Sequence, residues 1–463
     1  MVEISPHTHG KELLLATLRH ETAQAVPWVP FAGVHAGKLR GYSGKEILLD
    51  GKKLFESLIE VNRVYDPDGQ PVVFDLQVEA EVLGCGLVWV DNGPPMVATH
   101  PLESQLVLPN HLPELTDGRL PSILEVMREM KAAVGDTTAL YGLVAGPMTL
   151  ASHLRGTEIF MDSFDHPDYL KALLAFCRDV ALRMADFYRQ AGMDVIAVVD
   201  PVVSQVSPRH FKTFLFEPYQ AIFNQIRQMG AFSSFFVCGD ATKNIEVMAQ
   251  TGPDSISIDE NIDLPAAKAI TDRYNITIGG NIPLTTRMLL GTKADNMAFV
   301  VDLLDRLRDP SLNLRPNNFI LAPGCDMPYD IPPQNVVGVL EAVRNPEAAR
   351  AMLAHYESHS FDAQVDLPDY AHLEKPLVEV FTLDSDTCAA CGYMLGAAKR
   401  AAAELGGQVE LVEYKFTRPE NVARVMKMGI KNLPSLYING QLKYSSLIPS
   451  NRELLEEMRK AVG

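Results

Sequence analysis

The 463-residue chain is poor in cationic side chains for its size, with 41 Lys and Arg against 58 Asp and Glu, a formal charge of -17. No run of basic residues opposes that charge, so phosphate backbones and anionic lipid surfaces are repelled, and nucleic-acid and membrane partners are disfavoured. Long apolar runs are missing as well. The most uncharged stretch, residues 139–154, carries Gly, Pro, Ser, Thr and His and is too short to span a bilayer. The opening segment MVEISPHTHGKELLLATLRHE is charged and lacks the apolar core of a signal peptide, which makes the cytoplasm the expected location. Cysteine is scarce too: six residues in a chain of this length do not make a disulfide framework, and reduced thiols are expected. Cys85 and Cys177 lie in apolar surroundings and read as small buried hydrophobes.

What the chain does have is enough apolar sequence, 47%, to build real cores, and a length that calls for two domains. Between residues 20 and 330 short β-branched runs alternate with amphipathic stretches, the pattern of parallel strands joined by crossover helices. Eight such runs occur, at 26–33, 72–76, 139–147, 195–201, 232–240, 255–260, 276–282 and 318–325. Eight βα units predict an α/β fold with a closed (β/α)8 TIM barrel, spanning residues 1–356, with an extra hairpin in the 80–138 interval. A polar connector, 357–375, follows. Residues 376–463 then run strand, helix, strand, helix, hairpin, helix, with Cys388-Ala-Ala-Cys391 opening the first helix, the order of a small thioredoxin-like α/β domain.

Active sites of such barrels form at the carboxyl ends of the strands. The residues closing the eight runs are therefore the candidates: His35, Asp75, His153, Asp200, Cys238 with Asp240, Asp259 with Glu260, Asn281, and Cys325 with Asp326. Any one of these could equally be a cap or a loop residue; their convergence on one rim is the argument. Cys238 and Cys325 end the fifth and eighth runs and could share one metal ion or one substrate. Zinc favours thiolate and imidazole donors, and His35, Asp200 or Glu260 could complete its shell.

The segments PFAGVHAGKL, FDLQVEAEVLGCGL, GPMTLASHLRG, VVDPVVSQVSPRHFKTFLFEP, FFVCGDATKNIEVMAQTGPDSISIDENIDLPAAK, IGGNIPLTTRMLLG and LAPGCDMPYDIPPQNV resemble, in order, the uroporphyrinogen decarboxylase superfamily. The resemblance implies a TIM barrel with a cleft at the strand ends. It also implies one of two chemistries. Decarboxylases carry arginines for the substrate's carboxylates where this chain has AGVHAGK, a Tyr where it has His153 and a His where it has Cys325, and share only Asp75. The methylcobamide:coenzyme M methyltransferase branch carries a zinc motif, His-x-Cys and a later Cys; Cys238 and Cys325 match its cysteines, and Phe236 stands at its histidine. Either another ligand is recruited, with His35 and Asp200 as candidates, or the metal is absent and the thiols act directly.

On this resemblance the leading expectation is a cobalamin-dependent methyltransferase acting on a small thiol or similar acceptor. Asp75, His153, Cys238 and Cys325 are its catalytic candidates, and His35, Asn281 and Asp259 its substrate-binding ones. No Asp-x-His-x-x-Gly corrinoid signature is present, so cobalamin would arrive free or on a corrinoid protein, and the family implies a homodimer. Alternatives are uroporphyrinogen decarboxylation, or a corrinoid- or tetrapyrrole-binding protein without turnover. The tail resembles thioredoxins and glutaredoxins through Cys388, Cys391 and the Leu433-Pro434-Ser435 segment, which implies thiol–disulfide chemistry with a cis proline facing the cysteines.

Overall fold

The computed structural model describes residues 10–21, 25–308, 316–354, 356, 365–385, 389–446 and 448–462. It divides into two compact units, residues 1–358 and 359–463.

In the first unit seven strands form one parallel sheet: β1 (Gly69–Val73), β4 (Ala139–Ala145), β5 (Val195–Val199), β6 (Phe232–Phe236), β7 (Ser255–Ser257), β8 (Thr277–Ile282) and β9 (Phe319–Pro323), in that spatial order. Each helix between successive strands turns an apolar face to the sheet, as in Pro167–Gln190, which buries Leu170, Leu174, Cys177, Ala181 and Met184 at helical spacing. The eighth expected strand, 26–33, differs from expectation. It is reduced to one bridge, Trp28 beside Leu321. The reason lies in its sequence, VPWVP, since Pro27 and Pro30 have no N–H to give a ladder. The bridge nonetheless joins both edges: Val29 N donates to Leu321 O (3.0 Å), Leu321 N to Pro27 O (2.9 Å), and Asp68 N to Trp28 O (3.0 Å). The sheet is therefore a ring.

Strand periodicity sorts the side chains. Val195, Ala197 and Val199 of β5 join Tyr141, Leu143, Ile320 and Ala322 in an inner core, while Ile196, Val198, Leu140 and Leu321 pack outward under the helices. Phe31, Phe74 and Phe236 form an aromatic layer within the inner core, with Phe236 centred 4.7 Å from Phe31 and 5.9 Å from Phe74. The expected hairpin beside the barrel is β2 (Leu87–Val88) paired antiparallel with β3 (Met96–Val97).

The second unit is a four-stranded sheet of order β11 (Glu410–Lys415), β10 (Leu377–Thr382), β12 (Ser435–Ile438), β13 (Gln441–Ser445). β10 runs parallel to β11 and antiparallel to β12, and helices Ala389–Glu404 and Asn451–Val462 cover it through Met394, Ala398, Ala401, Leu454 and Met458. Among the described residues no helix is long and apolar enough to cross a membrane.

Candidate active site at the barrel mouth

Cys238 follows β6 by two residues and Cys325 follows β9 by two, so both leave the ring at its carboxyl end. They are joined there as a disulfide, with Cα atoms 6.0 Å apart across 87 residues of sequence. The pair spans the opening over β7 and β8, and Cys238 packs on the inner core that contains Phe236.

The residue after each cysteine is held through a carboxyl group. Gly239, at φ +81°, donates its N–H to Asp259 Oδ2 (2.8 Å), and Asp259 Oδ1 accepts from Asn261 N (2.9 Å) and Nδ2 (2.6 Å). Asn281 donates its amide to Asp259 O (3.0 Å) and Ile262 O (2.7 Å), so it holds that loop rather than facing a ligand. Next to Cys325, Asp326 Oδ1 accepts from Gly33 N (2.8 Å), and Gly324 lies so near the Glu260 backbone that a methyl group there would come within 2.7 Å of its nitrogen. Desolvation raises the carboxyl of Asp326, and raises Glu260 to about 8 with help from the charge on Asp259.

Asp75, after β1, is buried against Arg119 (2.7 Å), whose guanidinium also reaches Glu81 (2.7 Å) and stacks on Trp89 at 5.0 Å. Beside them Glu79 accepts from Ala145 N (2.9 Å) through Oε1, while Oε2 has no hydrogen-bond partner among the described residues. Burial lifts Glu79 to about 7. Neither Arg119 nor Glu79 closes an apolar run, which is why a search of strand ends passes over both. The signal that could have found Glu79 is a carboxylate between Val78 and Ala80 in a short helix whose neighbours are buried.

Two of the other expected site residues are engaged elsewhere. His35 is fully buried, with Nδ1 3.2 Å from Tyr329 O and Nε2 2.6 Å from the Tyr65 hydroxyl. A ring that donates to a carbonyl and accepts from a phenol has no free nitrogen. Asp200 caps the helix Pro147–Arg155, accepting from Met148 N (2.9 Å), Thr149 N (3.0 Å), Thr149 Oγ1 (2.6 Å) and the Tyr219 hydroxyl. These two differ from the expectation that they complete a metal shell. His153 is buried in that same helix, where desolvation lowers it to about 4; its Nδ1 has no partner among the described residues. It is a neutral imidazole at physiological pH.

The zinc expected by resemblance does not fit this arrangement. Two sulfurs bonded to each other offer no thiolate, Phe236 offers no donor, and His35 and Asp200 are spent. Among the described residues no group of three or more His, Cys, Asp or Glu is placed to hold a metal ion. The remaining barrel thiols are inert, since burial pushes Cys85 up to about 12 and Cys177 well above its ordinary value.

In the second unit Cys391 is buried at the start of the helix Ala389–Glu404 and accepts from Leu383 N at 3.4 Å. The Leu433–Pro434 peptide is cis. Cys388 lies outside the described residues.

Comparison with known proteins gives three kinds of match. The uroporphyrinogen decarboxylase (URO-D) family profile matches residues 9–346, and a thioredoxin domain profile matches residues 377–459. The methylcobamide:CoM methyltransferase MtbA of Methanosarcina acetivorans is 27% identical over 355 residues, covering 74% of this chain and 99% of that protein. MtaA of Methanosarcina barkeri, also named a methylcobamide:CoM methyltransferase, is 29% identical over 277 residues, covering 58% of this chain and 76% of its own length. A solved structure of a methyltransferase from Methanosarcina mazei superposes with a TM-score of 0.65 at 24% identity over 73% of this chain and 98% of its own, which bears on the fold alone.

Proposed function

Because this chain belongs to the uroporphyrinogen decarboxylase family, we propose that its barrel is a methyltransferase that moves a methyl group from a methylcobamide to a small thiol acceptor. One observation carries the reading: the two cysteines that match the methyltransferase motif, far apart in sequence, meet at the strand-end opening. The curated relatives that match nearly their whole length to this chain are named for that reaction.

In the proposed reaction the corrinoid, free or carried by a partner protein, supplies an electrophilic methyl carbon. The acceptor's thiolate attacks it, since the thiolate and not the thiol is the nucleophile. The carbon–sulfur bond forms as the bond from carbon to the corrinoid breaks, and that bond's electron pair stays with the departing demethylated corrinoid. Reduced Cys238 and Cys325 face the acceptor, and their sulfurs set where it lies. Asp75, held rigid by Arg119, orients its polar end, and Glu79 stands behind Asp75 as a group that gains or loses a proton near neutrality. His153, neutral and buried, shapes the wall. Asp259 and Asn281 act on the acceptor only through the Cys238–Gly239 turn they hold. A highly carboxylated tetrapyrrole is the poorer substrate, because AGVHAGK stands where the decarboxylases carry arginines, and the rim residues Asp259, Glu260 and Asp326 supply no cation to pair with its carboxylates.

The test is the visible spectrum of methylcobalamin incubated anaerobically with the reduced full chain and a thiol. Thiol-dependent demethylation is expected, and its loss in Cys238→Ser and Cys325→Ser. A stable bound spectrum without demethylation, or conversion of uroporphyrinogen by the same preparation, would overturn the reading.

A further inference from the structure

We infer that Cys238 and Cys325 form a metal-free dithiol–disulfide redox centre at the barrel mouth, taking electrons from a vicinal dithiol. The inference goes beyond methyl transfer: it concerns the two sulfurs themselves and stands whatever the acceptor is.

Four observations carry it. The sulfurs are paired with each other, and no third donor is grouped with them among the described residues. The family's imidazole position is filled by Phe236, fixed between Phe31 and Phe74, so the hydrophobic layer beneath the pair excludes a metal ligand from that side. Both cysteines are partly exposed, whereas Cys85 and Cys177 are buried in apolar packing. Finally, the bond is not needed to hold its two strands. β6 is paired on both sides by β5 and β7, β9 is paired by β8 and the Trp28 bridge, and Asp259 and Asp326 tie down the residues next to each cysteine. Breaking the S–S bond therefore leaves two thiols held face to face. Such a pair re-forms its bond as an intramolecular step with a high effective concentration.

The exchange balances as follows. A thiolate of the donor attacks one sulfur of the Cys238–Cys325 bond, the other leaves as a thiolate and takes a proton, and a mixed disulfide remains. The donor's second thiol, as thiolate, then attacks the donor sulfur of that mixed disulfide and expels the second cysteine, which is protonated in turn. Two electrons pass to the barrel pair, and the donor ends as a disulfide. Cys388 and Cys391 of this same chain are one source of that dithiol; a separate dithiol is the other.

The full chain is equilibrated anaerobically across a series of reduced-to-oxidised dithiothreitol ratios, quenched with acid, alkylated and digested. The fraction of linked Cys238 and Cys325 peptides is then read by mass spectrometry, with circular dichroism on the same samples. A linked fraction falling from near one to near zero with the slope of a two-electron couple, while the fold signal stays constant, is expected. Cys238→Ser should leave Cys325 alkylated and unlinked to Cys85 or Cys177. Sulfurs that are alkylated at every ratio, a bond that persists in excess dithiothreitol until the protein unfolds, or one zinc per chain bound from added zinc chloride and lost in Cys238→Ser would each overturn the centre. A Cys388→Ser/Cys391→Ser chain separates the sources. A reduction rate at limiting dithiothreitol that falls tenfold or more assigns the donor to the tail, and an unchanged rate assigns it to an external dithiol; both are reductions of the same centre.

Discussion

Glu79 offers a test of the electrostatics at the mouth that does not depend on turnover. Its carboxyl is raised from an ordinary 4.5 to about 7, chiefly by desolvation, and one oxygen has no partner among the described residues. The fold therefore prefers the neutral acid. The stability that goes with this preference is fully present below pH 4.5 and is lost as pH rises through 7, because the unfolded chain releases the proton first. Forcing the charge onto the buried group costs about 3 kcal/mol, at roughly 1.4 kcal/mol per pH unit. Glu79→Gln keeps the acceptor for Ala145 N–H and removes the ionisation. The variant should gain on the parent by about 2–3 kcal/mol between pH 5 and pH 8. For a unit of this size that is about 3–5 °C in the difference between their melting temperatures. Scanning fluorimetry of both proteins across that range measures it. A difference that stays constant with pH, or a variant less stable at pH 8 than at pH 5 relative to the parent, would refute the argument.

Arg119→Met strands the buried Asp75 carboxylate without its cation, and should cost about 3–5 kcal/mol in urea unfolding, part of which a second substitution, Asp75→Asn, returns. Gly146→Ala places a methyl group against the Asp200 carboxylate and should cost about 1–3 kcal/mol by the same assay, with no change in secondary structure by circular dichroism. Tyr65→Phe removes the donor to His35 Nε2 and leaves a buried acceptor unmet, for a loss of about 1–3 kcal/mol. A loss below 0.5 kcal/mol would mean that His35 is free to turn toward another partner.

Periodicity told most of the barrel. Six of the seven ladder strands lie within apolar runs recognisable by composition, as β4 and β5 do, and β1 meets its run, 72–76, only at Val72 and Val73. The exception, 26–33, is apolar yet barely a strand, since hydropathy does not register the N–H groups that two prolines remove. The meeting of Cys238 and Cys325 was legible only through the ring: neither residue carries a local signal, and their separation closes once β6 and β9 are known to face one opening. The fates of His35 and Asp200 were not legible. Each ends a strand as a ligand would, and only the partners brought by Tyr65, Tyr219 and Thr149 from other parts of the chain decide that they are structural. Arg119 was hidden for the opposite reason, lying at the start of the helix Leu120–Val134, far from any strand end in sequence.

The ring's narrow seam has a consequence for how its shape can be lost. Elsewhere adjacent staves are stitched by peptide groups, which every substitution except proline leaves in place. At Trp28 one of the stitches runs instead to a side chain: its N–H donates to Asp68 Oδ2 (2.7 Å), a carboxylate that Arg344 steadies at 2.7 Å from the far end of the unit. The cylinder is thus held by main chain around most of its girth, and where it closes a few main-chain bonds are joined by one that the side chain at residue 68 alone supplies.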